Sequence, residues 1–314
     1  MFRAWILLLC LMTAPLSARS EILEEFDTID SFRIINSGWL SAVVGTEFEF
    51  LESPTSVAAK DNKVYFTDDV LMGLFSYDLA SQSASNLKKA YKGLTSNQGR
   101  LFISDDQTLF VIDSFGSQVS KYDLIGNLIT RFDSPLNLNS PVGMCINPLN
   151  QHVLIADAFF GHIIEFSATG DPFALHGTNE KGSVQAGSDI VGMACTQDEM
   201  FVVSKLTKSI NVFSFSGEFL RQIPRPEVRS PSAVAVDSYG RVYISDDFND
   251  QISIYNASGL LEQFGRSGVG SLHFREIKDL SIDGDYLYVA DNANRSIKIL
   301  TIQPPTISKE SVKK

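Results

Sequence analysis

Six short apolar segments end on a potential ligand or hydrogen-bond acceptor at a nearly constant interval. They read VYFTD (64–68), LFVID (109–113), VLIAD (153–157), MFVVS (200–204), VYISD (242–246) and LYVAD (287–291). Their final positions are Asp68, Asp113, Asp157, Ser204, Asp246 and Asp291, spaced 45, 44, 47, 42 and 45 residues apart. A carboxylate at the end of a strand can accept hydrogen bonds from turn N–H groups. Five of them around one opening could instead gather cations or a basic partner. Asp69 and Asp247 double the charge in two copies, and Ser204, Lys205 and Lys208 interrupt it in the fourth. Two residues past the Asp stand Val70, Phe115, Phe159, Leu206, Phe248 and Ala293, joined by Met72 and Phe160. Short turns favour Gly, Asn and Ser, so this row is unusual. Its rings either cap the junctions between repeats or form an exposed apolar patch that marks a binding surface.

Other chemistry is thin. The four histidines, His152, His162, His176 and His273, are assigned to different repeats, stand in no metal-ligand spacing and are read as polar surface residues. No Gly-x-Ser-x-Gly, His-Glu-x-x-His or phosphate-cradling glycine loop occurs. The Asn256-Ala-Ser and Asn294-Arg-Ser triplets are glycosylation sequons, meaningful only in a eukaryotic secretory pathway.

The elements that position these residues repeat as well. A strand precedes each Asp-ending segment: PTSVAA (54–59), RLFISD (100–105), PVGMCI (141–146), IVGMAC (190–195), PSAVAV (231–236) and IKDLSI (277–282). A third strand follows: GLFSYD (73–78), QVSKYD (118–123), HIIEFS (162–167), SINVFS (209–214), QISIYN (251–256) and SIKILT (296–301). Five copies add a fourth: NLKKAY (86–91), LITRFD (128–133), PFALHG (172–177), FLRQIP (219–224) and LEQFGR (261–266). Four antiparallel strands every 42 to 47 residues predict an all-β, six-bladed β-propeller. The sixth copy lacks its fourth strand, and SFRIINS (31–37) is expected to supply it, closing the ring with an N-terminal strand in the last blade. Cys145 and Cys195 then lie one residue out of phase on the inner strands of adjacent blades. An interblade disulfide is geometrically conceivable, and two buried thiols are the alternative.

Residues 1–20 have the three-part layout of a secretory signal peptide, with Arg3, an apolar run over 4–12 and a small-residue region. The expectation is a single propeller domain over 21–303, a disordered tail over 304–314, and a secreted or periplasmic location. No later segment is apolar enough to span a membrane. Without residues 1–20 the chain carries 24 basic and 37 acidic residues, net −13. That balance argues against nucleic acid and anionic membranes as partners.

The segment SPSAVAVDSYGRVYISDDFNDQISIYNASGLLEQFG (230–265) resembles NHL repeats, and the resemblance extends over roughly 31–303. It implies a six-bladed propeller. NHL repeats place Asn three residues after the Asp and Arg two further on. Asn249 and Asn294 match the first, while the second position holds Gly73, Gln118, His162, Ser209, Gln251 and Ser296. Glu52-Ser53-Pro54 is similar to the Glu-Gly-Pro of calcium-dependent propeller lactonases, which makes Glu52 a metal-ligand candidate; the aligned Val142 and Ser232 offer no further ligand. The expected function is a non-catalytic extracytoplasmic binding scaffold that needs no cofactor. Its face of second-to-third-strand turns would take a protein or small ligand through Asp68, Asp69, Asp113, Phe115, Asp157, Phe159, Phe160, Asp246, Asp247, Phe248 and Asp291. The alternative is a propeller hydrolase or lyase with Ca²⁺ at the channel mouth.

Overall fold

The computed structural model describes residues 22–34, 48–92, 99–134, 138–176, 189–225 and 227–305. The signal-peptide segment, most of the 304–314 tail and residues 35–37 lie outside them. Among the described residues, no helix is long and apolar enough to cross a membrane.

The chain forms a six-bladed β-propeller of antiparallel blades. Each blade runs from an inner strand at the channel to an outer strand at the rim. The inner strands are Pro54–Lys60, Arg100–Ile103, Pro141–Ile146, Ile190–Cys195, Pro231–Val236 and Ile277–Asp283. The Asp-ending segments form the second strands, as Lys63–Asp68, Leu109–Asp113, Val153–Asp157, Glu199–Ser204, Val242–Asp246 and Tyr286–Asp291. Because strand side chains alternate, each blade buries both faces, one against each neighbour. Val64 and Phe66 pack toward blade six, whereas Tyr65 packs toward blade two. Six buried apolar clusters fill the six junctions between blades.

The inner strands of blades three, four and five approach one another closely. A Cβ on Gly143 would stand 2.4 Å from the Met193 nitrogen, and one on Gly192 would stand 2.9 Å from Val234 Cγ1. Glycine in the Val-Gly-Met repeats of blades three and four is therefore a packing requirement. Cys145 and Cys195 face each other across the same junction and are bonded, with Cα atoms 6.0 Å apart.

Two outer strands differ from the sequence expectation. The ring is closed by Leu23–Ile29, which pairs antiparallel with Ser296–Ile302 in blade six. Its two ends, Leu23 and Ile29, are buried, and a bulge between Glu25 and Asp27 breaks its alternation. Ser31–Ile34, the expected closing strand, crosses to blade one. There it pairs parallel with Ser83–Asn86 and antiparallel with Phe48–Phe50, widening that sheet to six strands. The outer strand of blade one is thus Ser83–Asn86. The expected strand over 86–91 is instead a helical turn, Lys88–Tyr91, with Leu87 and Ala90 buried against blade two.

Candidate functional site

The turns between second and third strands share one face of the ring with the links that enter each blade. Each has the same backbone. The residue four past the strand end has positive φ in all six blades: Met72, Ser117, Gly161, Lys208, Asp250 and Arg295. The strand-end carboxylate holds this turn against the incoming link. Asp68 Oδ2 accepts the Glu52 and Ser53 N–H groups, both at 2.9 Å, while Oδ1 accepts those of Val70 and Leu71 at 3.0 and 2.9 Å. Asp157 does the same with Asn139, Ser140 and Phe160 at 2.6, 2.7 and 2.8 Å. Asp246 accepts the Arg229, Ser230 and Phe248 N–H groups and the Asn249 amide. Asp291 accepts Arg275 N–H and the Asn294 amide and pairs with Lys298 at 3.3 Å. Asp113 accepts Gly116 N–H. All five carboxylates are buried. Asn249 and Asn294 therefore serve the same clasp.

Blade four replaces the clasp. Ser204 offers only a hydroxyl to Thr207 N–H, and the fully buried Arg225 guanidinium donates to the Ser204 and Val228 carbonyls. Burial lowers the pKa of Arg225, partly opposed by the charges of Tyr255 and Asp246.

The apolar residues of these turns point outward. Phe115 is 72%, Phe159 69% and Phe248 64% exposed, and Val70, Met72 and Leu206 are exposed to a similar degree. Arg229 lies 4.7 Å from the Phe248 ring centre. Phe160 is half-buried and stacks on His162 at 5.3 Å. The two adjacent acids differ from the clasp residues. Asp69 and Asp247 are half-buried, and each has one buried oxygen without a hydrogen-bond partner. Burial, then the Asp68 charge, pushes the Asp69 carboxyl upward, against a hydrogen bond from Thr55.

A depression of about 640 Å³ opens inside this crown, lined by Asp69, Asp189, Lys205, Lys278 and Asn292 among others. Arg100 closes it below. Its guanidinium reaches from blade two to the Val142 carbonyl of blade three and the Ser232 carbonyl of blade five. Asp279 of blade six is buried beside it. Asp279 accepts the Ser56 hydroxyl and the Val57 N–H; burial raises its pKa, with Arg100 opposing. Glu52, the metal-ligand candidate, directs its carboxylate to Arg295 at 2.9 Å. Among the described residues, no group of three or more His, Cys, Asp or Glu is placed to hold a metal ion.

One cluster escaped the sequence reading. His152, His162 and His176 all belong to blade three, not to separate blades. Glu165, buried on its third strand, takes His152 Nδ1 at 2.7 Å and His176 Nε2 at 2.6 Å. Burial pushes the Glu165 carboxyl up, but the hydrogen bonds from His176 and His152 prevail and its pKa is lowered. These residues are 11 and 13 positions apart, so only the strand register unites them.

No family model matches the chain, and no curated protein matches its sequence. Solved structures do match its fold. A Bacteroides thetaiotaomicron protein of unknown function has a TM-score of 0.62 at 14% identity, over 81% of this chain and 70% of that one. Virginiamycin B lyase from Staphylococcus aureus has a TM-score of 0.57 at 14% identity, over 80% and 95%. The WD40 propeller domain of Doa1 has a TM-score of 0.56 at 12% identity, over 84% of each chain. The chain is similar to a lyase and to a WD40 propeller alike, and at these identities the likeness is one of fold.

Proposed function

We propose that the protein is a non-catalytic binding scaffold of the secretory or periplasmic space, an NHL-like propeller that presents its turn crown to a protein or other ligand. The observation that carries this is the exposure of Phe115, Phe159 and Phe248 above carboxylates that are already consumed by backbone N–H groups. Large aromatic side chains grouped on a soluble surface mark binding sites. The acids below them shape the crown and leave the rings as its contact surface. No cofactor is required by this reading.

The enzyme reading draws on the lyase neighbours. A catalytically inactive histidine-to-alanine form of virginiamycin B lyase, solved with quinupristin, is among the similar structures. In this chain no described histidine lines either end of the channel. Glu52, with its carboxylate held by Arg295, would have to be released to take Ca²⁺.

Two measurements separate the readings. Replacing Phe115, Phe159 and Phe248 together by Ser should leave the melting temperature within a few degrees and weaken partner capture from extracytoplasmic extract at least tenfold. Undiminished capture by that variant defeats the scaffold reading. A clear rise in melting temperature with Ca²⁺, abolished by Glu52→Gln, would favour the enzyme reading, because a ligand of the native state stabilises it.

A further inference from the structure

The face opposite the crown carries a second cavity, of about 660 Å³, where the channel widens beyond Arg100. Every blade contributes to it through its inner strand, and blades two to five also through the turn that follows. About half of its wall is apolar, including Phe102, Met144, Ile146, Met193, Val236 and Ile282. Its edge is acidic, with Asp105, Asp106 and Asp198 in the turns and Asp283 at the end of the blade-six inner strand. Its floor is the Arg100–Asp279 pair, whose polar atoms are engaged with the Val142 and Ser232 carbonyls and with Ser56 and Val57. This volume is that of a small-molecule pocket.

One side chain already occupies the acidic edge. Lys60 of blade one stretches along the wall, and its ammonium sits 2.8 Å from Asp105 of blade two and 3.7 Å from Asp283 of blade six. A hydrogen bond to Asp105 raises its pKa in spite of partial burial. An ammonium between two carboxylates at the edge of a partly apolar cavity is the chemistry this site accepts, displayed by the chain itself. Asp105 is 84% exposed on its side chain, so an incoming ammonium can reach it.

We propose that this cavity is a binding site for a small organic ammonium ion with an apolar body. The head sits between Asp105 and Asp283, displacing Lys60, and the body lies against Phe102, Met144 and Met193. A divalent metal ion is the wrong occupant, because it needs several oxygens converging on one point and the described residues supply no such group. An anion is excluded by the sign of the edge. The orientation follows from the edge: Asp105 and Asp283 hold the cationic head there, so the apolar end points inward.

The test uses 4-phenylbutylammonium against 4-phenylbutanol and 4-phenylbutyrate, by calorimetry and by methyl NMR of the methionines. The amine should bind at least tenfold more tightly than the alcohol, and the carboxylate should bind weaker still. Met144 and Met193 methyl signals should move and Met72, on the crown, should not. Asp105→Asn with Asp283→Asn should weaken the amine about tenfold. Lys60→Met should tighten it several-fold, because the internal competitor is gone. Equal binding of alcohol and amine, weaker binding in Lys60→Met, or shifts confined to Met72 would overturn the proposal. The affinity outcomes do not bear on the crown, whose own test is the Phe-to-Ser variant.

Discussion

The two faces of the ring use the same residue types in opposite ways. On the crown, carboxylates are buried and spent on backbone N–H groups, while apolar side chains stand in solvent. On the opposite face, apolar side chains line a cavity and carboxylates such as Asp105 and Asp106 stand in solvent. The difference follows from what each set of turns must join. Crown turns lie beside the links between blades, so a second-strand carboxylate can bind both turn and link, as Asp157 does. Turns on the other face close a hairpin within one blade, and their polar residues serve mainly their own loop. Asp123 accepts Ile125 and Asn127 N–H groups, and Asp78 accepts that of Ser81. The crown is thus fastened by buried acids, and its exposed positions are free to carry rings.

Blades three and four offer the strongest way to break this comparison, because each face there has its own fastening. The Cys145–Cys195 bond spans 50 residues on the cavity side. Loop-closure entropy for that span is worth about 4 kcal/mol. Cys195→Ser should lower unfolding stability by an amount approaching this, read by denaturant titration, and dithiothreitol should do the same to the wild type. On the crown side, Asp157→Ala would leave the partly buried Asn139, Ser140 and Phe160 N–H groups without their acceptor, at a cost of up to about 1–3 kcal/mol each. A loss of about 3 kcal/mol or more is expected, and Asp157→Asn should lose less. A loss under about 1 kcal/mol in Asp157→Ala would show that the crown clasp is not what holds the turn.

The legibility of these features in the sequence tracks how completely the strands are buried. All six second strands are sandwiched between neighbours, so segments such as VLIAD declare themselves by apolar content and a terminal Asp. Outer strands are covered on one side only, and their pattern is weak. LEEFDTI reads as polar, and its bulge interrupts the alternation that would identify it, so SFRIINS looks like the better closing strand. NLKKAY contains the Leu87 and Ala90 pair at helical spacing, and the chain uses that spacing for a turn of helix. The direction of the Phe115 and Phe159 side chains was open in the sequence because a turn position can face either way. The two-histidine cluster on Glu165 was hidden because it is made by register across three strands, not by proximity along the chain.

A crown ring should be nearly silent in stability, in contrast with the acid beside it. Phe159 touches Phe160 edge-on at 5.0 Å and is otherwise in solvent. Phe159→Ala should change unfolding free energy by about 0.5 kcal/mol or less, the range of surface substitutions. A cost near that of Asp157→Ala would mean that the ring is packed in solution and would remove it from the contact surface.

Asp69 gives the smallest and most specific effect, one that depends on pH. Its carboxyl is pushed up by burial and by Asp68, so the folded state binds its proton more tightly than the unfolded chain does. Ionising it costs the fold stability as pH rises from the ordinary value of 3.8 through the raised value, and the cost persists at neutral pH. Asp69→Asn should therefore raise the melting temperature slightly at pH 7 and leave it unchanged near pH 3, where both forms are neutral. If Asp69→Asn lowered stability at pH 7 as Asp157→Asn does, Asp69 would be a sixth fastening of the crown. Asp69 would then be structural too, and the aromatic rings would carry more of the recognition on that face.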